Sequence, residues 1–139
     1  MIRRTIPADA PGISRLLTQL GYPGTAEFIG SRLTKLLANP DEIVLVWAEE
    51  SHVLAFLSLH FSTRLATGDF AEITYFAVDE TVQSKGIGRQ MEAEATRLAR
   101  ERDCDRMVVH CHTRRTRAHD FYRRQGFEES PKYLIKKLK

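Results

Sequence analysis

A glycine-containing junction between a strand pattern and a helix pattern constrains this fold more than any other feature of the sequence. Residues 70–78, F-A-E-I-T-Y-F-A-V, are rich in β-branched and aromatic side chains and predict a strand. The segment Gln83-Ser-Lys-Gly86-Ile-Gly88 follows, and a long helix is then predicted from apolar residues at helical spacing: Ile87, Met91, Ala95 and Leu98. Such a junction aims the free N–H groups of the helix start at one point, where an anion fits.

The glycines of this junction have two interpretations. They let a phosphate approach backbone that no Cβ shields, and Lys85 and Arg89 add positive potential to that of the helix dipole. A tight strand-to-helix turn without a ligand would also use glycine. Spacing excludes two known phosphate motifs, because a P-loop needs Gly-Lys-Ser/Thr where the chain has Gly88-Arg89-Gln90, and a dinucleotide fingerprint needs glycine where Met91 stands.

The remaining strands follow from runs of aliphatic and aromatic residues. Residues 42–48 and 53–61, separated by E-E-S-H, predict an antiparallel hairpin, and residues 1–6 and 106–112 predict single strands. The tail from Phe127 onward predicts one last strand or a bent pair. Strands and helices in this order predict a three-layer α/β domain with a mixed, mostly antiparallel central sheet flanked by helices.

Helix boundaries are predicted from capping residues. Asp9 is expected to cap a helix that ends at Gly21, and Thr25 is expected to cap a second helix that ends at Asn39-Pro40. A further helix is predicted from about Arg115 to Gln125, closed by Gly126.

Composition bounds the class of protein. The 139 residues, 42% hydrophobic and 28% charged, predict a single globular domain over residues 1–139. The start M-I-R-R-T-I-P lacks the apolar core of a signal peptide, and no apolar run approaches the roughly 20 residues of a membrane span. Cys104 and Cys111 match no disulfide framework, which predicts reduced thiols in a cytoplasmic protein. The net charge of +3 permits anionic partners without identifying one.

Two motifs resemble the GNAT N-acetyltransferase superfamily. Gln83-x-x-Gly86-x-Gly88 after a strand is similar to its acetyl-CoA signature, Q/R-x-x-G-x-G/A. About thirty residues later, the segment from Ala118 through Tyr122 to Gly126-Phe127 is similar to its A-x-x-(L/F)-Y-x-x-x-G-F segment. The order of predicted elements resembles that superfamily along the whole chain.

A narrower resemblance is to aminoalkylphosphonate N-acetyltransferases. It is carried by Leu59-His60, Glu72-Ile73, the segment from Arg117-Ala118-His119 to Phe121-Tyr122, and the final K-Y-L-I-K-K-L.

The resemblance implies an enzyme that moves acetyl from acetyl-CoA, its cosubstrate, to a primary amine by direct attack in a ternary complex. The N–H groups from Ser84 to Arg89 would hold the pyrophosphate, so the implied CoA-binding residues include Gln83, Ser84, Lys85, Gly86, Ile87, Gly88 and Arg89. The main chain of Phe76, Ala77 and Val78 would bind the pantetheine arm like an added strand.

The resemblance also implies the catalytic pair. Tyr122 would protonate or stabilise the leaving thiolate, since the ordinary pKa values of thiols and phenols, about 8.5 and 10, are close. A half-buried structural tyrosine is the alternative. Glu72 would take a proton from the incoming ammonium, and period two puts it on the same face as Phe76 and Val78. The alternative places Glu72 at a solvated strand end, and His60 could serve as base or bind substrate instead.

Substrate and phosphate contacts are less specified. Residues 20–36 and the loop 62–69 are expected to shape the amine pocket, where Arg64 is a candidate for an anionic group of the acceptor, such as a phosphonate or a carboxylate. The sequence departs from the family at Glu80, which replaces a common proline, and at His112 and Arg115, which stand where asparagine is frequent. Arg115 would then contact a CoA phosphate.

The sequence raises four other interpretations. The Arg-rich segment 114–124 resembles an exposed helix face more than a nucleic-acid site, since its aromatic residues gather on one side. His110 and His112 share a strand face without a third ligand, so no metal is expected. A non-catalytic acyl-CoA sensor and an acetyltransferase for a protein lysine or N-terminus stay open. No membrane partner is expected, and a homodimer through the final strand is plausible.

Overall fold

The computed structural model describes residues 1–111, 115–130 and 133–139, and a five-stranded sheet runs through its centre. Its strands, adjacent in sequence order, are β1 Ile2–Arg4, β2 Glu42–Glu49, β3 His52–Ser62, β4 Phe70–Val78 and β5 Arg106–Val109. The first four strands pair antiparallel, and β5 runs parallel to β4. The predicted mixed, mostly antiparallel sheet is confirmed.

Four α-helices flank the sheet: α1 Ala10–Leu20, α2 Ile29–Ala38, α3 Ile87–Glu101 and α4 Thr116–Arg124. The predicted ends of the first two are confirmed, since α1 stops at left-handed Gly21 (φ 109°) and α2 stops at Asn39, extended before a proline. Within the described parts of the chain, none of these helices is both long and apolar enough to cross a membrane.

The predicted N-caps of α1 and α2 are wrong. Asp9 is buried, and its carboxylate accepts hydrogen bonds from the Arg3 guanidinium (2.8 and 2.9 Å) and from the Ile6 N–H (2.9 Å) instead of capping α1. The Thr25 hydroxyl pairs with Ser14 at 2.7 Å, and α2 begins four residues later, at Ile29. The Ser14 hydroxyl thus takes Thr25 from the local backbone, while Asp9 is held by Arg3 and by the backbone that precedes α1.

The sheet separates two hydrophobic cores. On one face α1 and α2 cover residues that we call the α1-side core: Ala10, Ile13, Leu16, Leu17, Leu33, Val44, Val46, Ala48, Val53, Phe56 and Ala77. On the other face α3 covers the α3-side core: Ile43, Leu45, Ala55, Leu57, Leu59, Phe61, Ala71, Ile73, Ile87, Met91, Ala95, Leu98 and Ala99. The predicted buried stripe of α3 is confirmed, because its four residues all lie in this second core.

A β-bulge interrupts the alternation of β4. Ser58 pairs with Tyr75 and the next residue, Leu59, pairs with Ile73, so Thr74 is left without a partner on β3. An extra residue reverses which side chains face each core. The expectation that Glu72 shares a face with Phe76 and Val78 is therefore wrong. Glu72 lies between Ala71 and Ile73 of the α3-side core and faces away from it, whereas Phe76 and Val78 pack against that core.

The chain after α4 departs from prediction. The described residues 127–130 and 133–139 contain no strand, and apolar side chains of the tail are exposed: Tyr133, Leu134, Ile135 and Leu138. A run of β-formers becomes a strand only where a neighbour satisfies its backbone hydrogen bonds, and periodicity does not report that neighbour.

Candidate active site

The strand β5 pairs with only the first part of β4. Their last matched residues are Ile73 and Val109, while β4 continues to Val78. The main chain of Phe76, Ala77 and Val78 thus lies beyond the ladder with β5. Since Ala77 is buried in the α1-side core and the other two pack on the α3-side core, a ligand along this edge would meet backbone more than side chains.

The loop from Asp79 to Gly86 closes onto the end of β4. The Gln83 amide donates a hydrogen bond to the Val78 carbonyl at 3.2 Å, and the backbone turns through positive φ at Ser84 (70°) and Gly86 (83°). Lys85 and Arg89 are exposed, and within the described residues no ion pair engages either of them. The start of α3 therefore presents N–H groups and free positive charge together.

Gly86 and Gly88 have different structural roles. Gly86 needs its left-handed backbone, and a Cβ placed there would meet no atom within 4 Å, so the space over it is open to a ligand. A Cβ on Gly88 would lie 3.4 Å from the Phe121 ring and 3.6 Å from Val78. Gly88 therefore allows α3 and α4 to approach, which supports the turn-and-packing interpretation for that residue.

Asp79 anchors this loop. Its buried carboxylate accepts hydrogen bonds from the Thr81 N–H (2.9 Å), from the Thr81 hydroxyl (2.7 Å) and from Arg15 of α1. These bonds, those from Thr81 first, lower the pKa of Asp79 to about 2. The loop is thus tied to α1 by an ionised group.

Tyr122 lies on the α3 side of the sheet. It packs against the α3-side core and touches the rings of Phe121 and Phe127, each with centroids 5.3 Å away. Burial raises the pKa of Tyr122 well above the ordinary phenol value, and the nearby Cys111 and Glu92 act in the same direction. The hydroxyl is consequently protonated at every physiological pH and available as a donor.

A row of titratable side chains crosses the opposite face of the sheet. Glu42 pairs in register with His60, and His60 pairs with Glu72, so these three point to one side. His110 follows the end of β5 and places its Nδ1 3.3 Å from the Glu72 carboxylate. We call this set, Glu42, His60, Glu72 and His110, the polar row.

Glu72 and His60 are thus brought together, as the sequence analysis proposed, but each has a partner that it missed. His60 Nδ1 lies 2.6 Å from the Glu42 carboxylate, which is 12% exposed. His110 also contacts Tyr133, with ring centroids 4.5 Å apart. These residues come together through strand pairing, which is a property of the tertiary structure.

The two arginines proposed from the sequence, Arg64 and Arg115, contact residues outside the polar row. Arg64 lies over the ring of Phe70, 4.9 Å from its centroid, and Arg106 lies over the same ring at 4.6 Å. Arg115 donates to the Leu20 carbonyl at 3.0 Å, so its guanidinium is engaged at the end of α1.

Two tyrosines were missed by the sequence analysis. Tyr75, just past the bulge, meets Tyr22 from the end of α1, with ring centroids 5.5 Å apart. Tyr75 is opposite buried Ser58, on the face that carries Glu72. Only the bulge brings Tyr75 to this face, so no periodic pattern in the sequence would have found it.

His112 and Arg114, named above in the metal and nucleic-acid interpretations, lie outside the described residues. Within the described part of the chain, no three His, Cys, Asp or Glu side chains are placed to hold a metal ion. Burial raises the pKa of the Cys111 thiol, which fits a small half-buried apolar residue.

The model of the acetyltransferase (GNAT) family matches residues 15–127. Glucosamine-6-phosphate N-acetyltransferase from Arabidopsis thaliana is similar in structure, with a TM-score of 0.86 and 20% identity over 100% of this chain and 98% of that one. The aminoglycoside N-acetyltransferase AAC(6')-Iy in complex with CoA is also similar in structure, with a TM-score of 0.84 and 13% identity over 100% of this chain and 99% of that one.

A GNAT family acetyltransferase from Staphylococcus aureus gives a TM-score of 0.83 and 17% identity over 99% of this chain and 98% of that one. A search of curated proteins found no match. At these identities the solved structures show a shared fold, and the family model covers most of the sequence. The chain therefore belongs to the GNAT acetyltransferase family.

Proposed function

We propose that the protein transfers acetyl from acetyl-CoA to the primary amine of a small molecule, by direct attack in a ternary complex. The observation that carries this proposal is that β5 ends at Val109, beside Ile73, while β4 continues to Val78, with Tyr122 on one side of the sheet and Glu72 on the other. Amine and leaving thiol would then meet proton-transfer groups from opposite faces.

The start of α3 fits a diphosphate. The open space over Gly86 admits phosphate oxygens to the N–H groups from Ser84 to Arg89, and the exposed Lys85 and Arg89 supply counter-charge. The main chain of Phe76, Ala77 and Val78 would hydrogen-bond the pantetheine amides as a neighbouring strand would. A CoA-bound relative shares this fold, which supports the assignment.

Glu72 would remove a proton from the acceptor ammonium and free the nitrogen lone pair for attack on the thioester carbon. As the C–N bond forms and the C–S bond breaks, negative charge develops on sulfur. The Tyr122 hydroxyl would donate a hydrogen bond to that sulfur. Because burial holds the pKa of Tyr122 far above that of a thiol, stabilising the thiolate is its main role.

The acceptor would lie on the α1 side, between the polar row and the rings of Tyr22 and Tyr75. His60 would contact its polar groups. Arg64 and Arg106, both over Phe70, would favour an acceptor that carries an anionic group, such as an aminoalkylphosphonate. A cytoplasmic location and a homodimer through the tail complete the proposal.

The test is acetyl-CoA-dependent thiol release with a panel of amines: aminophosphonates, amino acids, polyamines, aminosugars and aminoglycosides. Calorimetric titration with CoA runs beside it. Turnover with one class of amine supports the proposal and names the substrate. CoA binding without turnover favours a protein acceptor or a sensor, and absence of CoA binding contradicts the site at Gly86.

Substitution of the loop arginine separates the acceptor classes. Arg64→Ala is expected to raise the KM of anionic amines severalfold and to leave that of neutral or cationic amines unchanged, since only the former need its charge. Equal kinetics for both classes would remove Arg64 from the acceptor site.

A further inference from the structure

We infer that His110 is a positioning residue that receives from Glu72 the proton of the acceptor amine and passes it to solvent. The inference rests on the proposed function, since it takes Glu72 as the base. It adds a role for a histidine that the family motifs do not include, and a role for the tail segment that holds it.

The geometry places His110 between Glu72 and water. Its Nδ1 lies 3.3 Å from Glu72 Oε2, close enough for proton transfer after a small adjustment of either side chain. The carboxylate side chain is 29% exposed and the imidazole is 51% exposed, so the histidine is the more solvated member of the pair. Tyr133 packs edge-on against the imidazole and restricts its rotation.

The proton balance of the reaction leaves one proton for solvent. An ammonium loses two protons when it becomes an amide N–H, and the departing thiolate takes up only one of them. The other must reach solvent, and Glu72 must ionise again before it can act in the next turnover. A neutral imidazole is a stronger base than a carboxylate, so an imidazole in contact with the carboxyl group can accept this proton.

The described groups that face this pair come from β2, β3 and the tail. From β3, His60 faces Glu72, with Glu42 of β2 behind it; Tyr133 faces His110 from the tail, and Cys111 follows it in the chain. Among the described residues, no Arg or Lys forms an ion pair with Glu42 or Glu72. The described side chains placed to accept the Glu72 proton are therefore the imidazoles of His60 and His110, and His60 already contacts Glu42 at 2.6 Å.

The experiment compares His110→Gln with wild type in the full chain, by thiol release with the best amine of the panel from pH 5 to 9. We expect kcat to fall at least about tenfold, the scale of a lost proton-transfer group, with the KM for acetyl-CoA unchanged. The acid limb of the profile should move to lower pH, because no imidazole then titrates in the path. In His110→Ala, added imidazole should restore turnover.

His52→Gln is the matched control and should behave as wild type. His52 is an exposed histidine at the start of β3, at the end opposite to His60. The inference is overturned if His110→Gln keeps the wild-type profile while Glu72→Gln abolishes turnover; the proposed function then stands. It is also overturned if His60→Gln alone moves the acid limb, or if rate is lost without a pH shift or imidazole rescue. Absence of amine-dependent thiol release from wild type overturns both proposals.

Discussion

Burial decides what the Tyr122 hydroxyl contributes. A phenol whose pKa is raised by desolvation is a poor proton donor to a thiolate in the equilibrium sense, yet it is always protonated. A fixed O–H aimed at a developing anion in a site that excludes water stabilises that anion strongly. The residue type follows from the motif, while its role follows from its surroundings.

Tyr122→Phe removes this donor and keeps the ring contacts with Phe121 and Phe127. We expect kcat for acetyl transfer to fall about 100-fold and the affinity for CoA to stay within twofold, since in the proposed mechanism the hydroxyl acts on the leaving group. Steady-state thiol release and calorimetry give the two quantities. A parallel loss of CoA affinity would instead assign Tyr122 to cosubstrate binding.

Asp79 shows a residue whose charge stabilises the fold next to the site. Its pKa is lowered from 3.8 to about 2, so the folded state binds its proton less tightly than the unfolded state does. The stabilisation is therefore complete above pH 4 and is lost as the pH falls through about 2.

Asp79→Asn should lower the free energy of unfolding by about 2 kcal/mol at pH 7, because it removes the charge that the hydrogen bonds from Thr81 and Arg15 stabilise. The difference from wild type should shrink between pH 4 and pH 2, where wild type loses the same contribution. Urea denaturation at several pH values measures it. A difference independent of pH would mean that the ionised carboxylate is not the source of the stabilisation.

At the scale of elements, the β4 strand and the start of α3 create the site. The bulge at Thr74 turns Glu72 to the α1 side and Phe76 to the α3 side, so one strand serves both faces. The turn at Gly86 then begins α3 at an angle that leaves its first N–H groups open. The bulge depends on one residue without a register partner on β3, and the turn depends on a glycine. Neither feature depends on a particular side chain.

Gly86→Ala tests the turn. A side chain at φ 83° is expected to lower the free energy of unfolding by about 1–2 kcal/mol and to weaken CoA binding, because the loop backbone must shift. Gly30→Ala is the control, since Gly30 lies exposed in α2 with open space around it and should gain up to about 1 kcal/mol. Unchanged CoA affinity in Gly86→Ala would contradict a phosphate site at this turn.

At the scale of the molecule, the sheet is a partition between two cores that different helices cover. The proposed site lies where β4 continues past its pairing with β5, from Thr74 to Val78. This stretch faces both cores, since Ala77 lies in the α1-side core and Phe76 and Val78 pack against the α3-side core.

Substitutions in the two cores should act independently. Ile13→Val in α1 and Ile87→Val in α3 are each expected to cost about 0.5–1.5 kcal/mol, and the double variant should lose their sum within about 0.5 kcal/mol. Chemical denaturation of the four proteins measures the coupling. A larger coupling energy would mean that a substitution in one core changes the packing of the other core through the sheet.

The sequence by itself determined the order of the elements from β1 to α4. Runs of aliphatic and aromatic residues in 42–48, 53–61 and 70–78 became β2, β3 and β4, and the spacing of Ile87, Met91, Ala95 and Leu98 became the buried side of α3, because the local pattern reflects which side chains a core accepts. Tyr122 and Gly86 followed from motif spacing. These patterns are local, so a single chain displays them.

Only the tertiary structure decided how side chains share partners. The bulge at Thr74, the Asp9–Arg3 and Thr25–Ser14 contacts and the meeting of Glu72 with His110 all join residues that compete for hydrogen bonds across the fold. Such competition depends on distances that close only when strands pair. The family signature thus predicts where acetyl-CoA would lie, and strand pairing determines which titratable side chains share a face with Glu72.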